Sequence, residues 1–280
     1  MTLKMYLKHH RLSLFLRALV IVAASLTSFA LLFIIAYIMI KGIPYLTPEL
    51  FSWTYNSENV SFMPAIVNTI IMVAGALLLA VPLGIGSAIY LVEYAKRGNK
   101  MVGVIRVTTE TLAGIPSIVY GLFGMLFFVT ALKMGYSLLA GIFTIAIMIL
   151  PLMMRTTEEA LKAVPDTFRE GSFGLGAGKL RTVFRIVLPT AVPGILAGVI
   201  LSIGRIVGET AALIYTSGTV AEMPKNLLSS GRTISVHMYA LSKEGLHTDQ
   251  AYATAVMLLV IVLLINAVSS MLAKKMENKS

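Results

Sequence analysis

RTTEEALKAVPDTFREGSFGLGAGKLRTVFRIVLP, residues 155–189, decides how the chain is read, because this basic, glycine-punctuated segment lies between two long apolar runs. Its first part, TTEEALKAV, reads as a helical extension of the preceding run, closed by Pro165, whose ring removes a donor and clashes with the turn before it. Asp166 is placed to cap the next short helix by accepting from free backbone donors. That helix, DTFREGSFGL, ends among Gly174, Gly176 and Gly178, and glycine reaches the left-handed conformation that helix ends often need. The run GLGAGK is not a phosphate-binding loop. Such a loop needs glycine where Phe173 stands and a hydroxyl residue where Leu180 stands.

Working outward, the chain of 280 residues is 57% hydrophobic and only 13% charged. A membrane helix needs about 20 mostly apolar residues. Residues 18–40, 59–92, 111–132 and 134–154 carry no charge at all, 190–216 carries only Arg205 and Glu209, and 250–273 is apolar. The reading is an all-α integral membrane protein with six spans, at about 18–40, 66–92, 111–132, 136–154, 190–216 and 251–273. Residues 1–17 form a cytoplasmic N-terminal segment, 18–280 the transmembrane domain, and 155–189 a cytoplasmic loop. The first run is well beyond the roughly 7–15 residues of a signal-peptide core and lacks a clear small-x-small cleavage site, so it reads as a retained helix. Proline and glycine within the spans, such as Pro82, Pro116 and Pro151, serve either close helix packing or bent helices along a solute path.

The net charge of +10 reports topology. With both termini in the cytoplasm, 17 of the 23 basic residues fall in inner segments, five (Lys41, Lys133, Lys225, Arg232 and Lys243) in outer ones, and Arg205 within a span. That asymmetry follows the positive-inside rule and gives no reason to invoke nucleic acid. The absence of cysteine removes disulfides, thiolate metal sites and cysteine nucleophiles together. The histidines, at 9, 10, 237 and 247, have no metal-site spacing, and no Ser-His-acid or paired-carboxylate arrangement stands out. Catalysis by this chain alone is not expected.

From Glu170 the chain reads EGSFGLGAGKLRTVFRIVLP. This resembles the cytoplasmic signature of ABC-importer permeases: EAA, three residues, glycine, nine residues, I-x-L-P. Glu170, Gly171 and Ser172 fill the EAA positions, Gly176 the glycine, and Ile186, Leu188 and Pro189 the I-x-L-P. The two alanine positions hold other small residues. The resemblance implies a type I importer fold in which a short helix seats in a groove on a separate ATPase subunit. ATP and magnesium would sit on that partner, with no cofactor in this chain. LAGIPSIVYGLFG (112–124) and GRIVGETAALIYTSG (204–218) are similar to the A-type permeases of bacterial phosphate-specific transporters. That likeness implies a heterodimer with a C-type permease, two ATPase subunits on the cytoplasmic side, a phosphate-binding protein outside, lipid around the spans, and inorganic phosphate as the solute.

Arg205 and Glu209, four apart, are expected on one face of the fifth span, in a polar stripe with Gly198, Ser202 and Thr216. A central arginine is unfavourable in lipid by roughly 2.5–3.5 kcal/mol, so the stripe should face protein or water. Two readings remain open here: an ion pair that fixes packing, or a substrate path in which Arg205 donates its planar fork to phosphate oxygens while Glu209 holds it. Other functions left open are an ABC permease for phosphonate or molybdate, a secondary transporter, and a non-transporting scaffold.

Overall fold

The computed structural model describes residues 3–96 and 98–277, so Arg97 and Lys279, counted above among the inner charges, lie outside the described residues. Helix α1 (Leu3–Gly42) leads into two short 3-10 turns. Helices α2 (Met63–Ile89), α3 (Lys100–Ala113), α4 (Ser117–Gly124), α5 (Leu138–Lys162), α6 (Asp166–Gly174), α7 (Lys179–Thr182), α8 (Leu188–Gly208), α9 (Ala211–Ile214), α10 (Ile234–Glu244) and α11 (Thr248–Glu277) follow. No strand occurs among the described residues. Five helical stretches are long and apolar enough to cross a membrane, and a bent pair supplies a sixth.

The centre is α2 against α5. Met72, Ala76 and Ala80 interlock with Ile142, Ile145 and Ile149, and Leu213 closes the same cluster. Small residues set this distance: a Cβ on Gly84 would lie 2.7 Å from the Met153 Cβ. Helix α1 has no buried residue in its apolar core and meets the rest of the chain along α11, where Gly42 lies against Tyr252 and Val256, so most of its surface is left to lipid and to other chains.

The third span differs from the continuous helix expected at 111–132. It consists of Lys100–Ala113 and Ser117–Ala131, bent by 99°. Pro116 is the cause. Its lack of an N–H ends the helical ladder at the Leu112 carbonyl, and it biases Ile115 away from helical geometry. The Tyr120 hydroxyl donates to that Leu112 carbonyl at 2.8 Å, bridging the bend. Beyond it, α4 lies so close to α9 that a Cβ on Gly121 would sit 2.8 Å from the Ala212 Cα. The fifth span also differs from expectation. It runs continuously from Lys179 but stops at Gly208, not 216.

Candidate functional site

The segment that carries the signature forms a helix, a reversal and a return. Asp166 is not the N-cap of α6. Pro165 occupies that position, and Asp166, in the first turn, accepts instead from Arg169 Nη1 at 3.1 Å. The difference arises because Pro165 already holds the non-helical cap geometry (φ −57°, ψ 138°), which leaves Asp166 as the first residue inside the helix. After α6, Gly176 adopts φ +79°, in the left-handed region open to glycine. The chain reverses there and returns through α7 and a π-turn at Val183–Val187 into α8. Ser172 is buried and shares a 2.8 Å hydrogen bond with the Thr182 hydroxyl, which ties the outgoing helix to the returning one. Glu170, Gly171, Gly176 and Pro189 are exposed, while Ile186 and Leu188 are half-buried.

Sequence reasoning passed over the residue that anchors this element. Arg169 Nη2 and Nε donate to Glu93 Oε1 at 2.8 and 3.1 Å, and its nitrogens also reach the Leu161 and Val164 carbonyls at 2.9 and 2.8 Å. Glu93 lies in the π-turn that ends the second span. The short helix is therefore bound to the second span by Arg169 and to the fifth by the continuous chain. Nearby, Glu158 on α5 forms ion pairs with Arg106 of α3 at 2.6 Å and with Lys162 at 2.7 Å. On the outside of α6–α8 stand Phe168, Phe173, Leu175, Leu180 and Phe184, all exposed. Ser172, Leu175, Leu180 and Phe184 help line an open groove of about 920 Å³.

Arg205 and Glu209 do not form the expected pair. Helix α8 ends at Gly208, and Glu209 turns to extended geometry (φ −72°, ψ 127°), so the four-residue helical spacing no longer applies. Its carboxylate accepts from the Ala212 N–H at 3.0 Å, beginning the short helix α9, and its carbonyl accepts from the Ser235 hydroxyl at 2.5 Å. No Arg205–Glu209 contact within 4.0 Å occurs among the described residues. A carboxylate beside a weak helix former satisfies local backbone donors more readily than it completes another turn. Arg205 is half-buried on the last turn of α8, within electrostatic range of Tyr120. Ser202 is buried and donates to the Gly198 carbonyl at 2.9 Å. Thr216 belongs to the turn after α9, so the stripe is divided between two elements.

A second polar group went unmarked in the sequence, where Arg232 is one loop charge among several. Arg232, two residues before α10, is 4% exposed, and beside it lie Asn68 of α2, His237 and Tyr55. Burial first, and the Arg232 charge second, push the His237 imidazole down to about 3.

Residues 80–279 match the family described as "Binding-protein-dependent transport system inner membrane component". The chain is 30% identical over 275 residues to a probable ABC transporter permease protein, YqgI, of Bacillus subtilis, covering 91% of this chain and 93% of that one. It is 36% identical to the phosphate transport system permease protein PstA of Pasteurella multocida, covering 85% and 86% respectively. The solved structure of a bacterial alginate ABC transporter superposes with a TM-score of 0.68 at 17% identity, over 92% of this chain and 95% of that one, which shows the fold alone. The helix-reversal-helix element, the apolar spans and these likenesses agree, and the chain belongs to the family of binding-protein-dependent transport system inner membrane components, as a multi-pass permease subunit of an ABC importer.

Proposed function

We propose that this chain translocates inorganic phosphate into the cytoplasm as the A-type permease of a phosphate importer. It works in a heterodimer with a C-type permease, above two ATPase subunits that hold ATP and magnesium, and receives its solute from an extracytoplasmic phosphate-binding protein. The observation that carries the solute is the extended likeness to a protein named as a phosphate permease, at 36% identity over most of both chains. ATP hydrolysis belongs to the partner, since GLGAGK lacks the residues of a phosphate-binding loop.

In this reading α6 is the element that docks on the ATPase. Glu170, Gly171 and Ser172 face or brace that contact, Gly176 supplies the reversal, and Ile186, Leu188 and Pro189 carry its movement into α8. The exposed Phe168, Phe173 and Leu175 give a partner an apolar surface to cover. The exposed apolar face of α4 and the π-helical turn after it, with Leu122, Phe123 and Phe127, suits the second permease. Arg205 belongs to the anion path. Ser202 and Glu209 act on it indirectly, one by tightening α8 and the other by setting the α8–α9 corner.

The test is to purify the assembled complex and measure which solute, delivered by its binding protein, stimulates ATP hydrolysis and uptake. Phosphate is expected; stimulation by another oxyanion and not by phosphate would overturn the solute. Arg205→Gln combined with Glu209→Gln keeps an acceptor for the Ala212 N–H, so the complex should assemble but carry almost no phosphate. Uptake near wild type at equal abundance would leave Arg205 as packing only.

A further inference from the structure

The loop before α2 and the start of α10 enclose a buried polar cluster that has no part in the reading above. Arg232 is 4% exposed, and its Nε and Nη2 have no protein partner. No carboxylate lies within 4.0 Å of it among the described residues. Asn68, fully buried on α2, donates from Nδ2 to the Arg232 carbonyl at 3.2 Å, and its Oδ1 is left unpartnered. His237 is 1% exposed and, with its pKa near 3, neutral at physiological pH, so it adds no second charge.

The cover of this cluster is itself strained. The Tyr55 ring lies 4.8 Å from the Arg232 guanidinium carbon. Five residues on, Val60 is buried at φ +44°, a region that a β-branched residue rarely occupies. Asn56 and Asn59 brace the turn, with the Asn59 N–H on Asn56 Oδ1 at 2.7 Å and Asn59 Nδ2 on the Thr54 carbonyl at 2.8 Å. Backbone strain of this kind persists where the surroundings over-determine it, and it concentrates at ligand clamps and switches.

A buried guanidinium without a counter-ion is costly, and an apolar side chain of similar length would fold at least as well. Its free nitrogens call for acceptor oxygens in a planar fork, which a tetrahedral oxyanion provides. The free Asn68 carbonyl calls for a donor, and a protonated oxyanion carries one. We propose that Arg232 and Asn68 form an oxyanion-binding station beneath the Tyr55–Val60 loop, distinct from Arg205. Its ligand is inorganic phosphate, an identification that rests on the solute assigned above. One fixed positive charge among neutral groups makes a weak station, as a solute that must move on requires.

The test uses the assembled complex without its binding protein. Millimolar inorganic phosphate should raise the wild-type thermal midpoint. Arg232→Met should assemble with an unliganded midpoint at or above wild type, lose the phosphate-dependent rise, and lower uptake tenfold or more at saturating loaded binding protein. Uptake within twofold of wild type with the rise intact would overturn the station. Asn68→Asp guards against a misfolded Met variant, because it supplies an internal counter-ion. It should stabilise the complex and abolish both the phosphate response and uptake, whereas wild-type transport in that variant would also overturn the station. A rise produced by molybdate or phosphonate and not by phosphate, and lost in Arg232→Met, keeps the station and overturns the phosphate assignment. No rise with any of these oxyanions overturns the station itself.

Discussion

Replacing Glu93 by Gln tests whether α6 is held to the second span as tightly as the geometry implies. The Glu93 and Arg169 side chains are 8% and 14% exposed, so solvent screens their contact little. Glu93 Oε1 accepts two bonds from Arg169, at 2.8 and 3.1 Å. Hydrogen bonds to charged groups contribute about 1.5–3 kcal/mol, and stripping a buried ion of its partner costs about 3–5 kcal/mol. The loss should fall below that upper range, because Arg169 keeps the Leu161 and Val164 carbonyls and glutamine keeps an acceptor oxygen. The expected cost is about 2 kcal/mol, or about 30-fold in a local opening equilibrium. Amide hydrogen exchange across Asp166–Gly174 in the assembled transporter reads that opening directly. Exchange there should quicken about 30-fold, and less solute should enter per ATP hydrolysed. Arg169→Gln and the double variant complete the cycle. Exchange within threefold of wild type in Glu93→Gln, or a cycle additive to within about 0.5 kcal/mol, would refute the anchor.

Three further outcomes are expected. Gly176→Ala meets no atom within 4 Å but must hold φ +79°; it should cost about 1–2 kcal/mol and weaken ATPase co-purification, while Gly176→Asn, which tolerates that region, restores part of it. Gly121→Ala would press its Cβ to 2.8 Å from the Ala212 Cα and should destabilise the permease by about 1–3 kcal/mol, read as a lowered thermal midpoint; an unchanged midpoint would contradict the contact between α4 and α9. Because His237 has a folded pKa of about 3 against 6.5, its neutral form gives full stability above pH 6.5. That stability is lost as pH falls towards 3, with a slope approaching about 1.4 kcal/mol per pH unit. Stability measured between pH 7 and 5 should therefore fall more steeply in wild type than in His237→Gln.

Much of the site's outline was legible because its signals are local. The turn from α6 to α7 follows from Gly176 and the residues around it, and the signature occupies 20 consecutive positions. The break in the third span was also written locally, in Pro116, although a count of uncharged residues passes straight over it. Glu209 was misread for a different reason. Helical spacing from Arg205 presumes that the helix continues, and α8 stops one residue before it.

The sequence by itself determined that this chain lies in a membrane, about where it crosses, and which segment carries the importer-permease signature. Transfer into lipid depends on the composition of each run of residues and on the charges flanking it, and both are properties of neighbours in the chain. Only the tertiary structure decided that Arg169 grips Glu93 across 76 positions, that Asn68 meets Arg232 across 164, and that Glu209 serves α9. Those pairings depend on where the helices bring distant side chains together, and that placement comes from close packing at sites such as Gly84 against Met153 and Gly121 against Ala212. No periodicity in the chain records which polar group a buried arginine will meet.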